Sequence, residues 1–465
     1  MRSTGTDANG TATRSPWRPS SDASTGWSTT PQDDGDDSRL WRGWSPVGAT
    51  TPPIRIARGA GYHVWDADGQ RYVDGVASAL NAICGYGHPR LVAAMTAQAE
   101  RLHHFELMSG VHAPATRLAD RLSRLFGGEL TRTVFVNSGS EAIEAAVRIA
   151  VDHWASRGSG RRRVVTLAAG YHGSTALCQS LSGLPHMRNE YADPLPVTRI
   201  PLPGPPSALD EPGAAQALLA AFEEAVTGHP DGPPAAVLVE PVLNVGGGSP
   251  LPAGFLTGLR ELCDRTGTLF IADEVFTGFG RTGRMFGFQH DGAVPDIVAT
   301  SKGLAGGYVP IGAVTTTAAV VEAFRAEPVL GGLRYGHTTS GHAVACATAL
   351  AVLDVLEDER LVQRAAEMGA RLVDGFRAFG GDPAVRHARG RGLVAALELH
   401  GPAEAEAMVR AAARHGALLR AQGAAVMAMP PLTIDAAGVD ALLDAIRHGL
   451  AETAPASVGV ERTPA

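Results

Sequence analysis

The sequence predicts an α/β protein whose large domain contains a mostly parallel β-sheet covered by helices on both faces. Short runs rich in Val, Ile and Leu alternate with Ala-rich stretches of helical pattern, and this alternation is typical of β-α-β units. The runs are apolar along most of their length, as expected for strands buried on both faces. The predicted strands are 133–136, 164–167, 236–240, 269–272, 297–300 and 312–316.

Helices are predicted between these strands, for example over 141–154 and 214–226. From about residue 346 onward, long Ala- and Leu-rich helices with a few short strands predict a separate α+β lobe. Residues 1–38 are mostly Ser, Thr, Gly, Asp, Pro and Arg, and they cannot bury enough apolar surface to offset the entropy of ordering. We therefore predict that this N-terminal tail is disordered.

The composition gives no reason to expect nucleic acid, a membrane or a metal ion as a partner. The net charge is −7 and the pI is near 6.1. No apolar run reaches the roughly 18 residues that span a bilayer, and no signal-peptide pattern opens the chain. The four cysteines lie far apart without metal-ligand spacing, which favours reduced thiols. We expect a cytoplasmic protein.

Lys302 is the only lysine in the chain, which leaves 40 − 1 = 39 arginines. A GC-rich coding bias could leave one lysine by chance. The alternative is chemical, because arginine is effectively always protonated, whereas a lysine amine can lose its proton and form a Schiff base. A position that needs a nucleophilic amine has to keep lysine.

Acidic and basic groups follow two consecutive predicted strands. The run L-F-I-A-D-E-V places Asp273 at the end of one strand, and I-V-A-T-S-K places Lys302 at the end of the next. Ligands of open α/β sheets bind beyond the carboxyl ends of the strands. We therefore expect an acid and an amine at one site.

Two further segments point to the same edge of the sheet. Ser138, Gly139 and Ser140 separate a strand from a helix, and the N–H groups at such a helix start bind anions. Tyr171 and His172 follow the strand 164–167, where an aromatic ring could stack on a flat ligand. Taken alone, the first segment is better explained as an ordinary helix cap and the second as an ordinary loop tyrosine.

This combination suits pyridoxal 5′-phosphate (PLP), which needs an amine, an anion site, a stacking face and a carboxylate at its ring nitrogen. A charge pair about 4 Å apart at an effective dielectric near 20 is worth roughly 4 kcal/mol, or about three pKa units. Such a carboxylate keeps the ring nitrogen protonated at neutral pH. Residues 278–283 spell G-x-G-x-x-G, but no helical pattern follows them, so we do not expect a nicotinamide site.

Several motifs, in order over about residues 40–450, resemble class III (ω-type) PLP-dependent aminotransferases of fold type I. The motifs are S-G-S-E-A, G-Y-H-G, E-P-V, D-E-V-x-T-G-F-G-R-T-G, S-K-G-L-A-G-G and H-T-T-S-G-H-A. The resemblance implies a large domain with a mostly parallel seven-stranded sheet and a smaller α+β domain. The implied boundaries are a tail 1–38, a small-domain segment 39–105, the PLP domain 106–345, the rest of the small domain 346–452 and a disordered tail 453–465.

The resemblance also implies residue roles at the cofactor. Lys302 forms the Schiff base and then moves a proton between substrate and cofactor, and Asp273 binds the ring nitrogen. Tyr171 and Val275 pack on the two faces of the ring. The remaining expected cofactor-binding residues are Ser138, Gly139, Ser140, His172, Glu240 and Thr338.

Thr338, in H-T-T-S-G-H, is expected to reach the phosphate of the neighbouring subunit, which implies an obligate homodimer with shared active sites. Arg420 resembles the carboxylate-binding arginine of amine:pyruvate and diaminopelargonate aminotransferases, and a surface arginine is the alternative. Ala79 and Leu80 stand where the diaminopelargonate enzyme has paired tryptophans, so a biotin-pathway substrate becomes doubtful. Trp44 could supply an aromatic wall for the substrate or only anchor packing.

Val245 stands where ornithine- and aminobutyrate-type members have a glutamate, and Asn244 replaces a usual glycine. We read these differences as evidence against ornithine and 4-aminobutyrate as substrates. The predicted activity is amino transfer between an amine or ω-amino compound and a 2-oxo acid, ketone or aldehyde, in a biosynthetic pathway. The alternatives are a PLP aminomutase or decarboxylase of the same fold, or a non-catalytic homologue.

Overall fold

The computed structural model describes residues 39–47, 53–188 and 193–453. The chain forms two compact units, Met1–Ile54 and Arg55–Ala465. The predicted tail 1–38 lies outside the described residues, as does the predicted tail 453–465 except for residue 453, which ends the last helix.

The second unit contains all the strands and helices named here. The strands are β1 (Ile56–Ala60), β2 (His63–Asp66), β3 (Arg71–Asp74), β4 (Leu130–Val136), β5 (Val164–Leu167), β6 (Val197–Ile200), β7 (Ala236–Val239), β8 (Val242–Leu243), β9 (Ser249–Pro250), β10 (Leu269–Asp273), β11 (Ile297–Thr300), β12 (Gly312–Thr317), β13 (His387–Gly390), β14 (Ala395–Glu398), β15 (Ala417–Leu418), β16 (Arg420–Gln422) and β17 (Ala425–Ala428). The helices are α1 (Ala77–Leu80), α2 (Pro89–Arg101), α3 (Ala113–Leu125), α4 (Gly139–Ser156), α5 (Ala176–Leu181), α6 (Ala214–Thr227), α7 (Phe255–Thr266), α8 (Ala318–Glu322), α9 (Ala343–Asp358), α10 (Leu361–Ala378), α11 (Pro402–Arg414) and α12 (Ala436–Thr453).

The central sheet has seven strands in the order β4-β12-β11-β10-β7-β5-β6. β12 runs antiparallel to both of its neighbours, and the remaining pairs are parallel. The predicted α/β class with a mostly parallel sheet is therefore confirmed, and all six predicted strands are present. Sequence reasoning missed β6, because this edge strand is only partly buried and contains Thr198 and Arg199.

Helices cover both faces of this sheet, so alternate residues of one strand enter different apolar cores. In β10, Phe270 and Ala272 pack into one core, while Leu269 and Ile271 pack into the other with the buried face of α4. Such double coverage explains why the strands read as continuous apolar runs. Residues 278–283 form turns rather than the start of a helix.

Three smaller sheets lie outside the central one. Two have four strands, in the orders β1-β2-β3-β15 and β13-β14-β17-β16, and the third is the pair β8-β9. β15, from the C-terminal part of the chain, pairs in parallel with β3 near the N-terminal part. Among the described residues, no helix is long and apolar enough to cross a membrane.

Candidate active site

A cavity of about 210 Å³ opens at the carboxyl edge of the central sheet. Nine of the predicted site residues line it together: Ser138, Gly139, Ser140, Tyr171, His172, Glu240, Asp273, Val275 and Lys302. Gly173, Asn244 and Phe276 line it as well, and sequence reasoning gave none of these three a role.

Adjacent parallel strands bring Asp273 and Lys302 to this cavity. Asp273 ends β10, opposite Ala299 of β11, and Lys302 follows the end of β11. The backbone of Lys302 has φ +40°, a left-handed conformation that is unusual for a residue other than glycine and is typical of functional sites. Burial lowers the pKa of the amine, although Asp273 and Glu240 partly oppose this effect. A lowered pKa favours the neutral, nucleophilic amine.

Asp273 is held in place by a buried hydrogen-bond chain. Its Oδ2 is 2.8 Å from His172 Nδ1, and His172 Nε2 is 3.0 Å from Thr166 Oγ1. The backbone N–H of Val275 donates to Asp273 Oδ1 at 3.0 Å. These partners fix the carboxylate at the cavity, where it can bind a protonated ring nitrogen.

Glu240 follows β7 and is buried beside this chain. It accepts hydrogen bonds from the backbone N–H groups of Tyr171 at 2.9 Å and Asn244 at 3.1 Å. Burial raises the pKa of Glu240 to about 7, and nearby His172 opposes this shift. Glu240 thus ties the loop that carries Tyr171 to the turn that carries Asn244.

The start of α4 lies at the cavity and is suited to binding an anion. Ser138 Oγ accepts from the backbone N–H of Glu141 at 3.2 Å, and the first N–H groups of the helix have no partner within the helix. A Cβ at Gly139 would lie 2.7 Å from Val275 Cγ1, so glycine lets the valine approach the helix start. Ser140 Oγ accepts from the backbone N–H of Ser174 at 3.1 Å, which joins this start to the loop after Tyr171.

Arg420 begins β16 and does not line the cavity. Its Nη2 donates to Gln422 Oε1 at 3.1 Å. Burial lowers its pKa, and the nearby Tyr171 phenol opposes this shift. The charge of Arg420 also contributes to the lowered pKa of Lys302. In the described part of the chain, Arg420 has no carboxylate partner.

Thr338 is not among the residues that line this cavity. Thr338 is exposed, and its carbonyl oxygen is 3.0 Å from His104 Nε2. Its expected role requires a second subunit. Trp44 belongs to the first unit, where its side chain is exposed with a backbone φ of +58°. The substrate-contact role of Trp44 stays a prediction.

The chemistry of the cavity fits PLP. Lys302 supplies an amine of lowered pKa, Asp273 a fixed carboxylate, and the α4 start the N–H groups of a helix N-terminus. The buried Oδ1 of Asn244, which has no hydrogen-bond partner among the described residues, adds a polar group that a ligand could satisfy. Among the described residues, no cluster of His, Cys, Asp or Glu could hold a metal ion.

Comparisons with known proteins agree with this chemistry. The family model for class-III aminotransferases matches residues 44–450. The adenosylmethionine-8-amino-7-oxononanoate aminotransferase of Anoxybacillus flavithermus is 33% identical over 425 residues, which cover 86% of this chain and 92% of that protein. The acetylornithine aminotransferase of Mycobacterium tuberculosis strain H37Rv is 37% identical over 400 residues, which cover 85% and 91%.

Solved structures show the same fold with the cofactor present. An amine transaminase from an uncultivated Pseudomonas species, in its PLP-bound form, has a TM-score of 0.85 at 32% identity and covers 89% of this chain and 99% of that one. The ω-transaminase of Pseudomonas jessenii in complex with PMP has a TM-score of 0.83 at 32% identity, with coverages of 88% and 96%. The chain belongs to the class-III aminotransferases, and it is a PLP-dependent enzyme of fold type I.

Proposed function

We propose that this enzyme transfers an amino group between an amine or ω-amino compound and a 2-oxo acid, ketone or aldehyde in a biosynthetic pathway. The observation that carries the proposal is the pairing of Lys302 and Asp273 at adjacent strand ends in one cavity. Both half-reactions would use this cavity in turn.

PLP, when bound, supplies a ring that withdraws electrons from the carbon next to the transferred nitrogen. Asp273 holds the proton at the ring nitrogen, and His172 fixes the carboxylate that does so. Tyr171 and Val275, which both line the cavity, would hold the ring between them and exclude water. Lys302, with its lowered pKa, accepts and returns the proton that moves during transfer.

Arg420 is proposed to bind the carboxylate of the 2-oxo acid or of an amino acid donor. A half-buried guanidinium without a carboxylate partner in the described residues supports this role, since such a cation gains most from a bidentate anion. Val245 is buried beside Asn244 and offers no charge to neutralise the arginine. We keep the proposal that ornithine and 4-aminobutyrate are not the substrates.

We further propose that the enzyme is a homodimer with shared active sites. Large apolar side chains near the Thr338 loop are exposed in the single chain, with exposed fractions of 91% for Met108, 78% for Val111 and 74% for Val329. The stacked rings of His104 and His342 join the Met108 segment to this loop. Exposed apolar surface of this kind supports a protein interface.

The proposed location is the cytoplasm. All four cysteines are free and buried, which suits a reducing compartment. The reported relatives and structures are aminotransferases, and they give no support to an aminomutase, a decarboxylase or a non-catalytic homologue.

The test is a matrix of amino donors against oxo acceptors with the purified, PLP-loaded enzyme. Amino products are quantified by mass spectrometry, and Lys302→Ala serves as the inactive control. We expect turnover that requires both a donor and an acceptor. Turnover of a single substrate without an acceptor, or release of carbon dioxide, would contradict the proposal and favour the aminomutase or the decarboxylase.

A further inference from the structure

Asn244 is the one polar residue of the cavity lining that has no assigned role in the chemistry above. It is 4% exposed and follows β8. Its backbone N–H donates to Glu240 Oε2 at 3.1 Å, and its carbonyl oxygen accepts from Gly247 and Gly248 at 3.2 and 3.1 Å. These bonds fix the backbone of Asn244, and its side chain lines the cavity.

The side-chain oxygen of Asn244 is a buried atom without a hydrogen-bond partner among the described residues. Buried polar atoms are nearly always hydrogen-bonded in native proteins. The oxygen and nitrogen of an amide are assigned from their partners, so the identity of the missing partner decides which end faces it. The carboxamide can accept up to two hydrogen bonds through its oxygen and donate two through its nitrogen.

The substitution pattern of PLP identifies the missing partner. The ring nitrogen is assigned to Asp273, the aldehyde carbon to Lys302, and the phosphate arm to the start of α4. The phenolic oxygen then has to lie on the ring edge between the nitrogen and the aldehyde carbon. Glu240 lines the same cavity as Asp273 and Lys302.

Asn244 is bonded to Glu240 and lines the same cavity. We propose that the Asn244 carboxamide hydrogen-bonds the phenolic oxygen of PLP and thereby sets the protonation of the bound cofactor. A neutral donor is suited to this place, since an anionic phenolic oxygen beside the Glu240 carboxylate would otherwise meet a like charge. The inference depends on the cofactor and is independent of which amine is the substrate.

The decisive experiment compares PLP with an analogue that lacks the phenolic oxygen. Dissociation constants of both cofactors are measured with the apoenzymes of wild type and Asn244→Ala. The preference for PLP, expressed as the ratio of the two dissociation constants, should be about tenfold smaller in the variant than in wild type. A hydrogen bond to a charged group is worth about one pKa unit, which corresponds to this factor. The two cofactors and the two proteins form a double-mutant cycle. Contributions of the phenolic oxygen to binding that do not involve Asn244 are the same in both proteins and cancel.

A second readout is the pH titration of the visible band of the bound cofactor without substrate. Removing the donor makes the phenolic oxygen more basic, so the midpoint should rise by about one pH unit. Asn244→Asp keeps the shape but loses the donor when ionised, so it should raise the midpoint as well. It provides the comparison if the alanine variant does not fold.

The control is Val245→Ala, which shortens the adjacent buried side chain and reports a general loosening of the turn. It should leave both the cofactor preference and the titration midpoint unchanged. An unchanged preference in both Asn244 variants would overturn the proposal. A change in substrate ranking without a change in cofactor preference would also overturn it, since the amide would then face the substrate.

Discussion

Asp273→Asn removes a charge while it preserves the shape of the residue that we propose to bind the cofactor nitrogen. The asparagine oxygen can still accept from the Val275 N–H, which is 3.0 Å from Asp273 Oδ1. The new amide nitrogen can donate to His172 Nδ1 if the ring carries its proton on Nε2, toward Thr166 Oγ1. We therefore expect the variant to fold and to bind PLP.

The catalytic loss should be large. A charge pair about 4 Å apart at an effective dielectric near 20 is worth roughly 4 kcal/mol, or about a thousandfold in rate if all of it acts on the transition state. The assay is the single-turnover rate of the PLP-loaded enzyme with a saturating amine, followed at the visible band. A loss smaller than about tenfold would refute the assigned role, because the ring nitrogen would then not depend on this carboxylate.

Glu274→Gln is the matched control, because it makes the same chemical change at the next residue. Glu274 is fully buried and faces away from the cofactor chemistry: it accepts from the backbone N–H groups of Gly287 and Phe288 at 2.9 and 2.8 Å. An amide nitrogen turned toward an N–H donor would cost about 1–3 kcal/mol of stability. We expect this variant to lower the melting temperature and leave the single-turnover rate nearly unchanged.

Three further predictions follow from the same geometry. Arg420→Gln should lower kcat/KM at least tenfold for donors and acceptors that carry a carboxylate, because a charged hydrogen bond is worth about 1.5–3 kcal/mol. The kcat/KM of amines without a carboxylate should stay within about threefold of wild type in the same substrate panel. An equal loss for both classes would contradict the assignment. Burial raises the pKa of Glu274 to about 7, so the folded state holds this proton to higher pH than the unfolded state. Its contribution to stability is present at low pH and is lost as pH rises from about 4.5 to about 7, so denaturant unfolding of wild type should show a steeper loss over that range than Glu274→Gln. Gly139→Ala should weaken PLP binding about tenfold in a titration of the apoenzyme, because the new Cβ would lie 2.7 Å from Val275 Cγ1.

The strands and the main chemistry of the site could be predicted from local patterns. Parallel strands buried on both faces give apolar runs, and their carboxyl ends meet at one edge, so Asp273 and Lys302 could be placed together without coordinates. β6 was missed because an edge strand keeps polar residues. Asn244 was recognised only as a departure from the family pattern, since the missing partner of its side chain becomes visible only when the surrounding packing is known.

The structure also explains why chance is a poor account of the single lysine. Lys302 lies at φ +40° on the cavity, where the strain of a left-handed residue is retained although glycine would relieve it. Burial lowers the pKa of its amine, which makes the neutral form accessible. An arginine would keep its charge at the same place and could not form a Schiff base. The backbone strain, the burial and the need for a neutral amine together explain why lysine is kept at this position. The other 39 residues of the Lys and Arg total are all arginine.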